Sequence, residues 1–283
     1  MHLVTWNIQW ARGVDGVVDP RRIIRVCREL GDPDVLCFQE VGRGFPGLAG
    51  SAGRDAFAAL AAELPGWTAV EGIAVDALGA GASRRQFGNL ILTRRPVLAA
   101  FRHLLPWPPD PGVPTMQRVA LEVVIAGARG PLRVTTTHLE YYSGRQRAAQ
   151  VERLRELQAE AAAHADDPVF PPKAGGPFET PPRPRSGILT ADFNLKPEDP
   201  LYTRLQAPIA GSPAYRDAWR IRHGDTAHAP TLGLYDKAQW PDEPFACDFI
   251  LVTEDLAPRV EDVVVAGATQ ASDHQPVLLR LAD

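Results

Sequence analysis

The chain has 283 residues, of which 45% are hydrophobic and 23% charged, a composition typical of a globular protein that buries a substantial core. Its formal net charge of −4 excludes a general basic excess that would bind polyanions. The 3 cysteines form no CxxC pair, which disfavours a disulfide framework and a structural zinc site. The first residues lack a signal-peptide pattern, and no segment is apolar for long enough to span a bilayer. We therefore expect a cytoplasmic protein without a membrane-spanning segment.

Strand and helix patterns alternate along the first half of the chain. The segment HLVTWNI at 2–8 alternates with period two, which predicts a strand. A helix is predicted next, because Asp19 is a good N-cap, Pro20 suits the first helical position and Gly31 follows the last apolar residue. The apolar run at 34–41 predicts a strand covered on both faces. Similar patterns predict a helix at 54–64 and strands at 87–105, 118–126 and 131–142.

The second half begins with the longest helical pattern, at 144–165. Its Glu and Arg residues, at pairing distance, predict a solvated helix face. Residues 166–185 are rich in proline and glycine, which predicts an irregular loop. This loop has the composition of a domain linker, but strands precede and follow it, and the polar motifs are split across it. We therefore predict a single domain over 1–283 with a Pro/Gly-rich loop at 166–185.

Polar residues stand at the ends of several apolar, strand-like segments. If these strands share one sheet edge or two apposed edges, their side chains converge on one concave site, because ligands of α/β proteins gather at strand ends. The histidines in similar settings are His138 in VTTTHLE and His274, beside Asp273, in ASDHQPV. The other residues are Asn7 in TWNIQW, Glu40 in LCFQEV, Asp192 and Asn194 in GILTADFN, and Asp248 in ACDFILV.

These residue types suit a hard divalent cation beside a phosphate. Carboxylate and amide oxygens are ligands for Mg²⁺ or Mn²⁺, and one or two carboxylates suffice for Mg²⁺. Such a cation neutralises charge on a phosphoryl group, a carboxylate aligns or deprotonates a water, and a histidine donates to the phosphate or the leaving group. The chain has no P-loop and no HExxH motif, and AGSAG around Ser51 lacks the first glycine of a nucleophile elbow. A nucleotide-driven motor and a serine hydrolase are therefore disfavoured.

Each of these residues, taken alone, also has a structural interpretation. A histidine that ends a strand, such as His138, is usually a hydrogen-bonded structural residue. Asp192 and Asn194 are suited to an Asx turn that leads to Pro197. Glu40 fits an exposed carboxylate at a strand end. The functional interpretation therefore depends on the conjunction of the motifs.

The motifs WNIQW, FQEV, THL, ADFN, CDFIL and SDHQPV follow one another in this order between Asn7 and Pro276. Together they resemble the endonuclease/exonuclease/phosphatase superfamily. Each motif alone is weak, whereas the ordered set is specific and covers nearly the whole chain. The resemblance implies an α/β fold, a four-layer α/β sandwich in which two mixed β-sheets pack face to face with helices outside.

The resemblance also implies a metal site and a site for the attacking water. Glu40 resembles the metal-binding glutamate and Asn7 the asparagine beside it, with Asp273 as an outer or second metal ligand. Asp192 resembles the aspartate that orients the attacking water. Asn194 resembles the amide that binds the phosphate. Whether one or two metal ions act stays open.

Two histidines and one arginine complete the predicted site. By the resemblance, His274 contacts the scissile phosphate while Asp248 holds its ring. His138 resembles a histidine near the leaving group. Arg145 is added as a substrate-binding residue only because it lies close to His138 in the sequence.

The predicted function is that of a Mg²⁺-dependent phosphoesterase, which hydrolyses a P–O bond with metal-activated water. A phosphodiesterase or nuclease is favoured, so nucleic acid is one class of phosphoester substrate. A phosphomonoesterase for a small or lipid head-group phosphate and a catalytically silent binding module are the alternatives. Gln9 stands where abasic-site nucleases have aspartate, and Phe249 where inositol phosphatases have arginine. The substrate therefore stays open, and no protein partner is indicated.

Overall fold

The computed structural model describes residues 1–167, 176–179 and 181–283. Within these ranges the chain forms 12 strands and 5 α-helices. The helices are α1 (Pro20–Glu29), α2 (Ala56–Ala62), α3 (Gly144–Asp166), α4 (Pro200–Gln206) and α5 (Ala218–His223). The strands are β1 (His2–Asn7), β2 (Val35–Arg43), β3 (Thr68–Leu78), β4 (Arg84–Thr93), β5 (Val97–Leu104), β6 (Val119–Gly127), β7 (Gly130–His138), β8 (Gly187–Asp192), β9 (Tyr215–Asp217), β10 (Asp248–Thr253), β11 (Val260–Val265) and β12 (Val277–Leu281).

The strands form two six-stranded mixed sheets. The first has the strand order β11-β12-β1-β2-β4-β3 and the second has the order β5-β6-β7-β8-β10-β9. Each sheet contains a central parallel pair, β1 with β2 and β7 with β8. The sheets pack face to face, with α1 and α2 on the outer face of the first and α3 and α4 on that of the second. The predicted four-layer α/β sandwich is therefore confirmed.

Alternation along the strands separates the core into layers. Leu3 and Ile188 belong to the apolar layer between the two sheets. Their neighbours Val4 and Leu189 pack on the outer faces, against the helices. This arrangement follows from the period of two in a strand, in which successive side chains point to opposite faces.

The same alternation directs the polar residues at the strand ends. Asn7 points to the same face of the sheet as Leu3 on β1, because the two are four residues apart. Asp192 likewise points to the same face as Ile188 on β8. Both side chains therefore face the gap between the sheets. His138 on β7 and Asp248 on β10 also point to this gap, because each lies an even number of residues from the core residues Val134 and Ile250 of its strand.

Helix α1 begins and ends as the sequence predicts. Asp19 caps it, and its carboxylate accepts hydrogen bonds from the backbone N–H groups of Arg21 and Arg22. Pro20 occupies the first helical position, where no intrahelical N–H is needed. Gly31 follows the helix with a φ of +111°, which a residue without a Cβ adopts readily.

The predicted loop at 166–185 lies partly outside the described residues. Helix α3 extends to Asp166, so the loop begins slightly later than predicted. Residues 181–185 form no regular secondary structure, but Arg183 is anchored by an ion pair to Glu122. The end of the loop is therefore fixed to the second sheet.

Two further features concern the cysteines and the helices. Cys27, Cys37 and Cys247 are all buried free thiols, in agreement with the expected absence of a disulfide framework. None of the helices in the described ranges is both long enough and apolar enough to cross a membrane.

Candidate active site

Three of the predicted residues lie side by side in the second sheet. The parallel pairing of β7 with β8 sets His138 opposite Asp192. The antiparallel pairing of β10 with β8 sets Asp248 opposite the same residue. Because directly opposite residues point to the same face of a sheet, these side chains form one row at the end of the gap between the sheets.

Glu40 reaches this gap only because its strand is irregular. Asn7 pairs with Gln39 across β1 and β2, so simple alternation would turn Glu40 toward the outer helices. Glu40 instead has a φ of +57°, and the pairing of β2 with β4 shifts between Phe38 and Val41. Such a β-bulge re-aims a side chain. Here it brings the Glu40 carboxylate beside Asn7.

Asn7 joins the two sheets at the site. Its Nδ2 donates to Glu40 Oε1 at 3.2 Å and to Asp192 Oδ2 at 3.0 Å. Its Oδ1 accepts a hydrogen bond from the backbone N–H of Gln9 at 3.1 Å. In this geometry the Asn7 amide positions the two carboxylates, and its oxygen as a metal ligand stays a prediction from the sequence.

His274 is held by a buried carboxylate. Its Nδ1 lies 2.8 Å from Asp248 Oδ2, which also accepts a hydrogen bond from Thr231 Oγ1 at 2.6 Å. Its Nε2 lies 3.7 Å from Asp192 Oδ2. Burial lowers the pKa of His274, but the charges of Asp248 and Asp192 outweigh it and raise that pKa well above its ordinary value. The ring is therefore a cation at neutral pH.

His138 also contacts Asp192, but its pKa is shifted in the opposite direction to that of His274. Its Nε2 is 3.4 Å from Asp192 Oδ2 and its Nδ1 is 3.9 Å from Glu40 Oε1. Burial, together with the nearby positive charge of Arg118, lowers the pKa of His138 to about 3. His138 is therefore neutral at neutral pH, and it takes part in hydrogen bonds without carrying a charge.

The carboxylates of the site have no Arg or Lys partner. Burial and the charge of Asp273 raise the pKa of Glu40 to about 7. Across the described ranges, no Arg or Lys forms an ion pair with Glu40, Asp192 or Asp248, and the one cationic partner is the His274 imidazolium. A cluster of carboxylates with so little positive charge fits a divalent cation, which prefers oxygen ligands. Glu40 and Asp273 are the residues that would hold it.

Three hydrogen bonds hold the Asp273 carboxylate in place. Its Oδ2 accepts hydrogen bonds from Gln9 Nε2 at 3.1 Å and from Trp240 Nε1 at 3.1 Å. Its Oδ1 accepts one from Ser272 Oγ at 3.2 Å. These donors orient the carboxylate, as partners of metal ligands commonly do.

Cys247, Asp248 and His274 also bring three ligand atoms within 4.8 Å of one another. Burial raises the pKa of the Cys247 thiol well above its ordinary value, so the sulfur keeps its proton and points to Asp248 Oδ2 at 3.4 Å. A metal ligand would have to be the thiolate. We therefore interpret this group as the hydrogen-bonded support of the His274 ring.

Asp192 and Asn194 form the Asx turn and also face the site. The backbone N–H of Asn194 donates to Asp192 Oδ1 at 3.0 Å, while Asp192 Oδ2 receives the Asn7 amide. Asn194 has a φ of +49°, and its Nδ2 donates to the carbonyl of Leu139 at 2.9 Å. The structural and the functional interpretation of this motif are therefore compatible.

Left-handed backbone is concentrated around the site. In the described part of the chain, 7 non-glycine residues have a positive φ, and these include Gln9, Trp10, Glu40 and Asn194. A left-handed conformation costs such residues about 1–2 kcal/mol each. Strain of this kind tends to collect at functional sites, where the surrounding structure maintains it.

The side chains surround a cavity of about 500 Å³, which is in the range of small-molecule sites. Glu40, His138, Asp192, Asn194, Asp273 and His274 all line it. Asp248 lies behind His274. A second groove of about 730 Å³ adjoins this cavity and shares Tyr141, Asn194, Gln239 and Trp240 with it.

The arginine at the cavity is Arg118, which the sequence did not indicate. Arg118 is only 6% exposed, and its Nε donates to Glu140 Oε2 at 3.3 Å. Arg145 does not line the cavity, and its exposed guanidinium donates to the carbonyl of Pro109 at 3.0 Å. No local pattern distinguishes Arg118 in PTMQRVAL, because its position depends on the pairing of β6 with β7.

Comparison with known proteins agrees with this architecture. Residues 4–274 match the Endonuclease/Exonuclease/phosphatase family. The chain belongs to this family, whose members are generally hydrolases of phosphoesters and usually use divalent metal ions. Among curated protein sequences no relative was found.

Solved structures of the same fold include an endonuclease/exonuclease/phosphatase from Beutenbergia cavernae, with 26% identity and a TM-score of 0.66 over 100% of this chain and 72% of that one. A mannosyl-6-phosphatase from Bacteroides thetaiotaomicron has 16% identity and a TM-score of 0.67, with full coverage of both chains. A 3′ phosphatase from Neisseria, bound to a product DNA hairpin, has 19% identity and a TM-score of 0.60, also with full coverage. At these last two identities the likeness concerns the fold alone.

Proposed function

We propose that the protein is a phosphoesterase that depends on Mg²⁺ or Mn²⁺ and cleaves a phosphodiester, with nucleic acid as one candidate substrate. The observation that supports this proposal is the placement of Glu40, Asp192 and His274, from three distant parts of the chain, around one cavity. Because both sheets contribute to this cavity, we treat residues 1–283 as one catalytic domain. A cytoplasmic location stays a prediction from the sequence.

Asp192 orients the attacking water and accepts its proton. Its Oδ2 faces the site and is oriented by the Asn7 amide at 3.0 Å. A carboxylate held in this way accepts a hydrogen bond from water and takes its proton as the P–O bond forms. The backbone N–H of Asn194 fixes the other oxygen, so the carboxylate cannot rotate freely.

His274 is the donor to the phosphoryl group. Its raised pKa keeps the ring charged, so Nε2–H is available to a phosphoryl oxygen on which negative charge increases in the transition state. Asp248 holds Nδ1 and thereby fixes the ring. When bound between Glu40 and Asp273, a divalent cation would supply further neutralisation of that charge.

His138 and Asn194 complete the contacts to the ester. His138 is neutral, so we assign it a hydrogen bond to the leaving-group oxygen and not the transfer of a full proton from an imidazolium. Asn194 contributes an amide beside the phosphate. In this scheme the leaving group takes its proton from solvent.

A phosphomonoesterase is the second candidate. Two proteins of the same fold are named for monoester hydrolysis, the mannosyl-6-phosphatase and the 3′ phosphatase. The bounded cavity admits a terminal phosphate as well as a bridging one. Release of inorganic phosphate from monoesters, with diesters left intact, would select this candidate.

The experiment is an activity screen with Mg²⁺ and with Mn²⁺, and Asp192→Ala serves as the blank. The substrates are bis-p-nitrophenyl phosphate, single- and double-stranded oligonucleotides, phospholipids and a panel of phosphomonoesters. We expect metal-stimulated cleavage that the variant lacks. Metal-dependent binding of a phosphoester without turnover of any substrate would instead indicate a binding module.

A further inference from the structure

The cavity is lined by two unlike groups of side chains. The ionisable and amide side chains described above form its floor. A second group consists of uncharged, largely apolar side chains, and we call it the apolar wall. It consists of Trp10, Phe45, Leu48, Val75, Phe87 and Met116.

The apolar wall belongs largely to one edge of the first sheet. Phe45 and Leu48 lie in the loop after β2, Val75 lies on β3 and Phe87 on β4. The rings of Phe45 and Phe87 meet edge to face at 6.5 Å, and the guanidinium of Arg85 lies 5.5 Å from the Phe45 ring centroid. These contacts hold the wall in place. Its side chains are half-buried and contribute apolar surface to the cavity.

The cavity offers little to a polyanion. Arg118 is the one Arg or Lys among the described residues that line it. Its Nε is bonded to Glu140, whereas its buried Nη1 has no hydrogen-bond partner. One guanidinium suits at most one anionic group. A nucleic-acid strand, in contrast, is usually held by a series of cations along its phosphates.

The wall also offers little to a polar ligand. Leu48, Val75 and Met116 have no hydrogen-bond donors, and the indole N–H of Trp10 already donates to the carbonyl of Ala49 at 2.9 Å. The hydroxyls of a sugar would lose their hydrogen bonds to water here without replacement, which is unfavourable. A hydrocarbon group has no such penalty, and it gains free energy from burial.

We infer that the substrate is a small phosphoester with one phosphate and a hydrocarbon group, which packs on the apolar wall while the floor holds the phosphate. This inference rests on the proposed function, because it specifies the substrate of the same site. It favours apolar phosphoesters as the substrate class over nucleic acid and over polyphosphorylated sugars.

The test measures binding, so that it does not depend on turnover. Methyl-, butyl-, hexyl- and octylphosphonate carry a C–P bond that a phosphoesterase does not cleave. Their affinities for the wild-type protein with Mg²⁺ are determined by isothermal titration calorimetry. We expect the dissociation constant to fall by up to about fourfold for each added CH₂ that is buried, with an increasingly negative heat-capacity change.

Two substitutions in the loop after β2 test the contribution of the wall. Phe45→Ala and Leu48→Ala should each reduce the gain in affinity from methyl- to octylphosphonate by about tenfold. Leu104→Ala is the matched control, because Leu104 is 61% exposed and lies on β5, outside the cavity. Thermal denaturation of all three variants verifies that they fold.

Equal affinity across the series would overturn the inference, as would stronger binding of a single-stranded oligonucleotide that depends on Phe45. A parallel assay of bis-p-nitrophenyl phosphate hydrolysis separates the two proposals. Hydrolysis without chain-length dependence in binding would contradict only the inference. Chain-length dependence without hydrolysis of any phosphoester would contradict only the proposed function.

Discussion

The carboxylates of two regions of the molecule, around Glu122 and at the active site, have different surroundings. Glu122 on β6 is 1% exposed and forms ion pairs with Arg133 at 3.3 Å and Arg183 at 3.0 Å. Burial alone would raise its pKa, but His103 and these two arginines outweigh burial and lower that pKa to about 2. Glu40, at the active site, has no arginine or lysine in an ion pair among the described residues, and its pKa is raised to about 7.

The difference shows what each region is built to do. At Glu122 the chain supplies the balancing cations itself, so the carboxylate contributes to stability. At the active site the chain gathers several carboxylates around a single imidazolium, that of His274. The excess negative charge is unfavourable until a cation arrives from outside. Functional sites commonly retain arrangements that reduce stability. Each prediction below tests this contrast between a balanced and an unbalanced carboxylate.

Of the substitutions proposed, Asp192→Asn should have the largest effect, which is a loss of activity. The amide does not accept the proton of the attacking water, so kcat should fall by about 10²- to 10⁴-fold. Steady-state kinetics on the best substrate from the screen measures the loss. Urea unfolding of the metal-free variant should show a smaller change in stability than Glu122→Gln causes. Retention of wild-type kcat would remove Asp192 from the catalytic residues.

Glu122→Gln should reduce the free energy of unfolding by about 3–5 kcal/mol, because it leaves two buried guanidinium groups without their carboxylate. Equilibrium unfolding in urea measures this change. Glu254→Gln is the control, since Glu254 pairs with Arg216 at the surface and is 49% exposed. Loss of such a pair costs about 1 kcal/mol or less. Equal effects of the two substitutions would contradict the structural role of Glu122.

The lowered pKa of Glu122 also predicts a pH dependence of stability. A carboxylate with a folded pKa of about 2, against an ordinary 4.5, contributes on the order of 3 kcal/mol. This contribution is fully present above the unfolded pKa and is lost as the pH falls from about 4.5 toward 2. Urea titrations across this range should show a shallower decline in Glu122→Gln than in the wild type. An equal decline of stability with pH in the wild type and in Glu122→Gln would show that protonation of Glu122 does not contribute to acid unfolding.

Asp248→Asn and His274→Ala should damage turnover non-additively, because the carboxylate acts through the ring. We expect a coupling free energy of about 0.5–3 kcal/mol in a double-mutant cycle on kcat. Asp217 and His228 provide a control pair, since they are buried and 2.7 Å apart but do not line the cavity. Asp217→Asn and His228→Ala should change stability with little effect on kcat. If the losses in kcat from Asp248→Asn and His274→Ala are additive, the carboxylate does not act through the ring.

Glu40→Gln should weaken metal binding with the smallest expected effect, about tenfold or 1.4 kcal/mol. The amide removes the charge that attracts the cation but keeps the size of the side chain. Thermal denaturation at increasing Mg²⁺ reports on binding without the need for turnover, because a ligand of the native state raises the Tm. An unchanged Mg²⁺ dependence would exclude Glu40 from the metal site.

The sequence by itself determined several local elements. Asp19 and Pro20 define the start of α1, because capping depends on neighbouring residues only. The alternation with period two at residues 2–8 likewise predicts β1, which ends at Asn7. These features are local, so a sequence pattern is sufficient to predict them.

The tertiary structure decided which of the site residues meet. The register of β7, β8 and β10 aligns His138 with Asp192 and Asp248, and register depends on pairing between segments far apart in the chain. The bulge at Glu40 reverses the direction that simple alternation gives. Arg118 reaches the cavity and Arg145 does not, although Arg145 is nearer to the site motif in sequence. Long-range packing sets these positions, and no local pattern encodes it.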